Sequence, residues 1–243
     1  LLPKGFNTVL PIEKIIFYPN KKNPKFILIK EKIKKNEHVR FKGSDYRKND
    51  LLIKRGTIIE SNHILALNTL GIKKIIVKKI PNILFFSSGN EITDQENIPE
   101  WKVRNSNSHY IKSIDKNFLF NFFYGGILKE KDQNLFEKKI KKMINSKIDI
   151  IITSGAVSAG KFDYIPKIIN KFKISNYFKG VAIRPGKPVL FAKIKGRHKA
   201  IFGLPGNPIS SAACFRFFVY PYLEMILETE KEKPIKAILK NEF

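Results

Sequence analysis

Short apolar runs alternate with amphipathic stretches over most of the chain, beginning near residue 81. The runs at 83–86, 148–152, 189–191 and 199–202 are only a few residues long and rich in β-branched or aromatic side chains, as buried strands are. Between these runs, apolar residues recur at helical spacing. The clearest examples are Phe136, Ile140, Met143 and Ile144 in one stretch and Phe215, Phe218, Val219, Leu223 and Ile226 in another. We therefore predict an α/β fold, a mostly parallel sheet with helices on both faces.

The first 80 residues follow a different pattern. Apolar runs at 9–12 and 26–29 lie between Pro and Gly turns, which predicts a small β-rich part over residues 1–45. Residues 46–80 are expected to form a linking unit, with a helix capped by Ser61, Gly71 just after its end, and a strand at 75–77.

Three domains follow from these patterns. They are a partial β-rich domain over 1–45, a linking unit over 46–80 and an α/β domain over 81–230. Residues 231–243 are expected to begin a further domain or a tail.

Composition changes this picture little. The chain has 243 residues and a formal net charge of +25, from 46 Lys and Arg against 21 Asp and Glu. Such an excess could indicate nucleic-acid binding, but the lysines are spread through every segment, which favours a general compositional drift. With one cysteine, Cys214, no internal disulfide can form, and we expect it to be a small core residue. No apolar run approaches the about 18 residues of a membrane span, and no signal peptide is visible, so we expect a cytoplasmic location and no membrane partner.

Two polar loops carry the first chemical signal. Residues 153–160 and 203–210 are rich in Gly, Ser, Thr or Asn, and each lies between a predicted strand and a predicted helix. Such loops turn backbone N–H groups towards an anion, although ordinary βα turns use the same residues. Two of them suggest a substrate with more than one anionic group. Ligands of open parallel sheets bind beyond the carboxyl ends of the strands.

Charged side chains add a second signal. Arg184 and Lys187 flank a Pro-Gly turn and could clamp an oxyanion, or could be a solvated surface pair. Glu91, Asp163 and Glu130 follow predicted strands or begin helices, and converging carboxylates could hold Mg²⁺. The alternative for Asp163 is a first-turn helix acid.

Five motifs, in this order and with this approximate spacing, resemble those of the molybdopterin molybdenumtransferase family. The resemblance covers nearly the whole chain, is most specific in the last two motifs together, and implies a MogA-like α/β domain. The motifs are Ser88-Gly89-Asn90-Glu91, Asn105-Ser106-Asn107-Ser108, Thr153-Ser154-Gly155-Ala156-Val157-Ser158-Ala159-Gly160, Arg184-Pro185-Gly186-Lys187-Pro188 and Gly203-Leu204-Pro205-Gly206-Asn207-Pro208-Ile209-Ser210.

The resemblance implies a reaction and a set of site residues. Family members insert molybdate into adenylylated molybdopterin with Mg²⁺ and release AMP. Catalytic roles are implied for Asp45, Glu91, Asp163, Arg184 and Lys187, with Glu91 and Asp163 as metal ligands. Cofactor-binding roles are implied for Asn107, Ser108, Thr153, Ser154, Gly155, Ser158, Gly160, Pro188, Gly206, Asn207, Pro208 and Ser210, and Arg184, Lys187, Pro188 and Ser210 match the family's molybdate site.

The sequence departs from the family pattern at several positions. Ala156 replaces a Gly, and a Cβ at positive φ would cost on the order of 1 kcal/mol. Asn105 and Glu130 stand where Asp is usual, and Gly180 stands where many members have Lys. The family's N-terminal Asp-Gly segment and C-terminal β domain have no counterpart in this sequence, so we expect the chain alone to be weakly active or inactive.

The resemblance also bears on partners. It implies a homodimer, with Asp45 acting across the interface. A molybdopterin adenylyltransferase is a second candidate partner. Three other functions stay open: molybdopterin adenylylation, a non-catalytic relative that keeps only the fold, and a basic nucleic-acid-binding protein.

Overall fold

The computed structural model describes residues 2–114, 119–156, 164–196 and 198–238. The chain forms two compact units, Leu1–Lys54 and Arg55–Phe243. No helix within the described ranges is both long and apolar enough to span a membrane.

The first unit contains one antiparallel pair of strands. β1 (Ile15–Tyr18) follows a single 3₁₀ turn at Ile12–Lys14 and pairs with β2 (Phe26–Ile29). The run at 26–29 is thus a strand, as predicted. The run at 9–12 is not, because Pro11 lacks the N–H that a ladder needs and lies directly before the 3₁₀ turn.

The second unit opens with helix α1 (Ser61–Thr69). Its N-cap is Glu60 rather than the predicted Ser61, since Ser61 is already the first helical residue and the Glu60 N–H donates to His63 Nδ1 at 3.0 Å. Gly71 follows the helix with φ 72°, as predicted, and its N–H donates to the Asn68 carbonyl at 3.0 Å.

The prediction of a strand at 75–77 is wrong. Ile76 is fully exposed, and no strand of the described chain pairs with this segment. An apolar run forms a strand only where a neighbouring backbone offers the other half of the ladder, and here none does.

A six-stranded sheet forms the centre of the second unit. From one edge to the other its strands are β6 (Asn121–Leu128), β3 (Asn82–Ser88), β7 (Ile150–Ser154), β10 (Ala200–Leu204), β9 (Leu190–Ile194) and β8 (Ile174–Lys179). The pairs β6–β3, β3–β7 and β7–β10 are parallel, and β9 is antiparallel to both of its neighbours. The mostly parallel sheet is therefore confirmed, with one reversed strand. A short connection links β9 to β10, and a parallel crossover needs about a dozen residues or more, so this pair must be antiparallel. A separate parallel pair is formed by β4 (Ile92–Thr93) and β5 (Val103–Arg104).

Helices cover both faces of the sheet, as predicted. One face packs against α2 (Asn107–Ile114) and a long C-terminal helix, and the other against α3 (Gln133–Ile144) and α4 (Tyr164–Ile169). The side chains of β7 alternate accordingly, with Ile150 and Ile152 in the first core and Ile151 in the second. The long helix consists of α5 (Pro208–Cys214), a π-helical turn (Phe215–Val219) and α6 (Tyr220–Leu227). Cys214 is buried in the core, as predicted.

Candidate functional site

The loops after β7 and β10 touch at the carboxyl edge of the sheet. β7 and β10 are parallel neighbours, with Ser154 opposite Leu204, so both loops leave the same edge. The Gly155 N–H donates to the Leu204 carbonyl at 2.9 Å, and an ideal Cβ on Gly206 would lie 3.7 Å from the Gly155 Cα. The two predicted anion loops are therefore adjacent.

The turn at 184–188 lies at this same edge. β9 runs against β10, and its first residue, Leu190, is opposite Gly203 near the end of β10. The turn that precedes β9 therefore lies at the same edge of the sheet as the loop that follows β10. The three turns to which the sequence analysis assigned anion binding thus share one edge of one sheet.

Asn107 joins the first two loops. Its Nδ2 donates to Ser154 Oγ at 2.6 Å and to the Gly206 carbonyl at 2.9 Å. Ser154 Oγ in turn donates to the Pro205 carbonyl at 3.1 Å. Both hydrogens of the Asn107 amide are used in this joint, so the residue predicted to assist binding holds the loops together.

Buried hydroxyl groups lie beneath the first loop. Thr153 is completely buried, with Oγ1 3.5 Å from the Phe202 carbonyl, and Ser154 is 3% exposed. Both residues belong to β7, which pairs with β3 and β10, so they form the base of the loop. The N–H of Ser108, another buried residue, points to Asn105 Oδ1 at 3.5 Å. Ser158, Gly160 and Asp163 lie outside the described residues.

The backbone of the first loop turns through two positive φ angles. Gly155 has φ +99°, and an ideal Cβ there would lie 2.2 Å from the Ser88 carbonyl oxygen, closer than real contacts allow. Ala156 has φ +53°, so the side chain that replaces the family's glycine sits in the left-handed region, as the sequence analysis anticipated.

The second loop ends by capping α5. Asn207 is the N-cap: its Oδ1 accepts the Ser210 N–H at 3.2 Å and lies 3.4 Å from Ser210 Oγ, and Pro208 follows in the first turn. Gly206, Asn207 and Pro208 are exposed at the edge of the sheet. Asn207, predicted to bind the cofactor, therefore also sets the start of this helix.

The third turn is packed against the end of α5. Gly186 has φ +115°, and an ideal Cβ would lie 2.7 Å from Cys214 Sγ, whose thiol donates to the Gly186 carbonyl at 3.4 Å. Arg184 and Lys187 are exposed on this turn, and no ion pair joins either cation to an acid of the described chain. Both charges therefore face solvent at the edge, beside the half-buried Pro188.

Two of the predicted acids, Glu91 and Glu130, lie within the described residues. Glu91 is exposed just after β3, with its carboxylate folded over Gly89, where an ideal Cβ would lie 2.5 Å from Glu91 Oε1. Glu130 begins a 3₁₀ turn at Glu130–Asp132. Across the described ranges no three His, Cys, Asp or Glu side chains group closely enough to hold a metal ion.

Asp45 belongs to the first unit, where it forms an ion pair with Arg40. That unit also contains a cavity of about 330 Å³. Its lining includes none of the residues predicted to bind the ligand and consists of Leu2, Pro3, Val9, His38, Val39 and Arg40.

A polar cluster beside Asn107 was missed by the sequence analysis. Asp94, Asn105 and Tyr124 are mutually hydrogen-bonded, and Ser87 at the end of β3 completes the group. Burial and the neighbouring Asp94 carboxylate raise the pKa of Tyr124 well above its usual value. No local motif marks Asp94 or Tyr124, because their partners are distant in sequence.

An α/β domain with adjoining Gly-containing loops at the carboxyl edge of its sheet is an architecture that holds phosphate-bearing ligands. The family model described as "probable molybdopterin binding domain" matches residues 85–225, more than half of the chain, and the chain belongs to this family. The model described as "MoeA N-terminal region (domain I and II)" matches residues 1–71.

Relatives of known name agree with this family. The chain is 31% identical over 246 residues to the molybdopterin molybdenumtransferase of Staphylococcus aureus (strain COL), a match that covers 100% of this chain and 56% of that protein. The enzyme of the same name from Staphylococcus epidermidis (strain ATCC 12228 / FDA PCI 1200) is 31% identical over 247 residues, with the same coverage. The chain thus spans 56% of the length of these curated relatives.

Solved structures extend the likeness to the fold. The molybdopterin biosynthesis MoeA protein from Pyrococcus horikosii matches with a TM-score of 0.71 and 27% identity, over 93% of this chain and 54% of that one. A molybdenum cofactor biosynthesis protein from Pyrococcus furiosus has a TM-score of 0.55 at 21% identity, over 78% of this chain and 56% of that one. At this lower identity the second likeness concerns the fold alone.

Proposed function

We propose that this chain acts in molybdenum cofactor biosynthesis, inserting molybdate into adenylylated molybdopterin with release of AMP. The observation that carries the proposal is the joint between the loops after β7 and β10, tied by Asn107 at the carboxyl edge of the sheet. A ligand with a pyrophosphate link needs two neighbouring anion sites, and relatives named molybdopterin molybdenumtransferase span the whole chain.

The proposed roles divide along this edge. Backbone N–H groups of the loops at 153–160 and 203–210 bind the phosphates of the pterin nucleotide. Arg184 and Lys187, exposed on the adjoining turn, attract the molybdate oxyanion, and Pro188 and Ser210 line its site. Both cations are exposed on the turn around Gly186, which packs against Cys214.

Magnesium is part of the proposal. Glu91 and Asp163 would hold Mg²⁺, which would neutralise charge on the anhydride as it breaks. Mg²⁺ usually takes only one or two protein carboxylates and completes its shell with water and substrate phosphates. The exposed Glu91 carboxylate fits such a site, and a larger acidic group is not required.

The test measures binding of adenylylated molybdopterin by calorimetry and, in parallel, AMP release with molybdate and Mg²⁺. We expect Arg184→Ala and Lys187→Ala to weaken molybdate-dependent AMP release at least about tenfold, since a charge-assisted hydrogen bond contributes about 1.5–3 kcal/mol. Lys173→Ala is the matched control, because this exposed lysine lies just before β8, at the opposite edge. Turnover by the isolated chain is expected to be weak, so binding is the primary result.

Other outcomes would replace the proposal. Consumption of ATP with molybdopterin would indicate the adenylyltransferase reaction instead. Salt-dependent binding to generic RNA or DNA, with no binding of the pterin nucleotide, would indicate a basic nucleic-acid-binding protein. If molybdate-dependent AMP release, ATP consumption and nucleic-acid binding are all absent, the chain is a non-catalytic relative.

We also propose that the chain forms a homodimer in which Asp45 of one copy serves the site of the other. Mixing Asp45→Asn with Lys187→Ala should then restore AMP release, because one site of each mixed dimer would be intact. A monomeric mass by light scattering, or no restoration on mixing, would contradict this arrangement. A complex with a molybdopterin adenylyltransferase is a further proposal, tested by co-elution with and without the pterin nucleotide.

A further inference from the structure

A cluster of four side chains lies beside the loop joint without belonging to either loop. Asn105 Nδ2 donates to Asp94 Oδ1 and to the Tyr124 hydroxyl, each at 2.8 Å, and the Tyr124 hydroxyl donates to Asp94 Oδ2 at 2.8 Å. On its other side, Asn105 Oδ1 accepts from Ser87 Oγ at 2.7 Å. We call these four residues the Asp94 cluster.

The Asp94 carboxylate determines which way the Asn105 amide faces. An ionised carboxylate only accepts hydrogen bonds, so it requires the NH₂ of Asn105 and the O–H of Tyr124. The Asn105 Oδ1 must then point the other way, towards Ser87 Oγ and the Ser108 N–H. A rotated amide would place its oxygen against Asp94 Oδ1 and its NH₂ against the Ser108 N–H, which are both repulsive contacts.

The orientation of Asn105 bears directly on the loop joint. Its Oδ1 faces the first turn of α2, where it accepts the N–H of Ser108, a residue that is only 5% exposed. Asn107 lies in that same turn and donates to Ser154 Oγ and to the Gly206 carbonyl. A hydrogen-bonded path therefore runs from Asp94 through Asn105 and the start of α2 to both anion loops.

The middle of this path is buried, whereas its charged end lies at the surface. Asn105 is 6% exposed and Ser87 is 3% exposed, so the Asn105 amide must satisfy its hydrogen bonds within the protein, while Asp94 and Tyr124 are exposed. We propose that Asp94 is a positioning residue for the anion site: through Asn105 it holds the start of α2 so that Asn107 can join the two loops. The identity of the ligand in this proposal rests on the proposed function, whereas the hydrogen-bonded path from Asp94 to the loops does not.

An exchange of the two side chains tests the coupling. Asn105→Asp alone would set two carboxylates against each other. Asp94→Asn alone would leave one amide oxygen in place of two carboxylate oxygens, so both amides could rotate and the Asn105 amide would no longer be held in one orientation. The double variant Asp94→Asn/Asn105→Asp restores one carboxylate and one amide at hydrogen-bond distance. We expect each single change to weaken binding of adenylylated molybdopterin about tenfold and the double variant to recover to within about threefold of the wild type.

The side-chain amide signals of Asn107 in a ¹H–¹⁵N spectrum provide a readout independent of the ligand. We expect both single variants to shift or broaden these signals and the double variant to restore them. Glu100→Gln is the control, since it removes an exposed carboxylate from the same connection between β4 and β5. If the wild type binds no pterin nucleotide, the proposed function fails, and the Asn107 signals still decide this inference.

Two results would overturn it. One is a double variant whose defects equal the sum of the single defects, which would mean that Asp94 and Asn105 act independently. The other is an unchanged Asn107 signal in the variant Tyr124→Phe. This variant removes only the hydroxyl and retains the ring, so it tests the path even if a charge variant does not fold.

Discussion

Gly155 lies so close to Ser88 that an ideal Cβ on Gly155 would be 2.2 Å from the Ser88 carbonyl oxygen. The contact follows from the sheet, because β3 and β7 are parallel neighbours with Ser87 opposite Ser154. The two strands end at the same edge of the sheet, so Gly155 passes directly beside the Ser88 carbonyl at the end of β3. Only glycine allows this approach at φ +99°.

Gly155→Ala should therefore destabilise the protein substantially. The left-handed backbone contributes about 1–2 kcal/mol, and the contact with backbone, which cannot rotate away, adds about 1–3 kcal/mol. Urea unfolding followed by circular dichroism measures the change. A loss below about 1 kcal/mol would mean that the loop has room to shift.

Ala156→Gly provides the neighbouring comparison. Ala156 already carries a Cβ at φ +53°, so glycine relieves about 1 kcal/mol of backbone strain, while the unfolded chain gains about 0.4–1 kcal/mol of conformational freedom. We expect the free energy of unfolding to change by less than about 1 kcal/mol, measured by the same urea titration. A large loss would contradict the left-handed assignment at Ala156.

The Cys214 thiol should be unreactive in the folded protein. Burial raises its pKa to about 11, so at neutral pH it stays protonated, and the thiolate is the reactive form. Labelling with a thiol-specific chromogenic disulfide should be negligible in native buffer and complete in guanidinium chloride. Cys214 is the one cysteine of the sequence, so Cys214→Ala is a direct blank. Rapid native labelling would show that the turn at Gly186 does not cover the sulfur.

The Glu137 carboxylate should make stability depend on acid pH. Hydrogen bonds from Lys141, and then from Lys171, lower its pKa from 4.5 to about 2. Because the folded pKa lies below the unfolded value, the stabilisation is fully present above about pH 4.5 and is lost as the pH falls towards 2. The difference in thermal midpoint between the wild type and Glu137→Gln should therefore be larger at pH 6 than at about pH 2.

A control separates this ion pair from general charge effects. Glu100→Gln removes a carboxylate that forms no ion pair within the described chain and should give no comparable pH-dependent difference. Equal differences for Glu137→Gln at both ends of the pH range would contradict the role of the two lysines.

The local sequence pattern predicted strands and helices correctly where a residue's partners are close in sequence or where a whole face of the element is buried. The run at 148–152 overlaps β7, which extends two residues further along the chain, to Ser154. The 3.6-residue spacing of Phe136, Ile140 and Met143 is the buried face of α3. The same reasoning failed at 75–77, because an apolar run says nothing about whether a neighbouring strand exists. It also did not anticipate β8, which forms the far edge of the sheet.

At the candidate site the sequence identified positions more reliably than contacts. Asn107 and Asn207 were expected to meet a ligand, and their side chains join the loops and cap α5. At Asn105 the resemblance indicated a lost charge, but a carboxylate does lie at this point of the structure, supplied by Asp94. The assignments of the ligand and metal residues stay predictions.

By itself, the sequence determined the alternation of strands and helices, the glycine and proline turns, and the family to which the chain belongs, because those properties depend on neighbouring residues and on motif order. The tertiary structure alone decided that three turns share one edge, that Asn107 ties two of them, and that Asp94 faces Asn105. These relationships depend on strand order and direction, which bring together side chains that no local pattern connects.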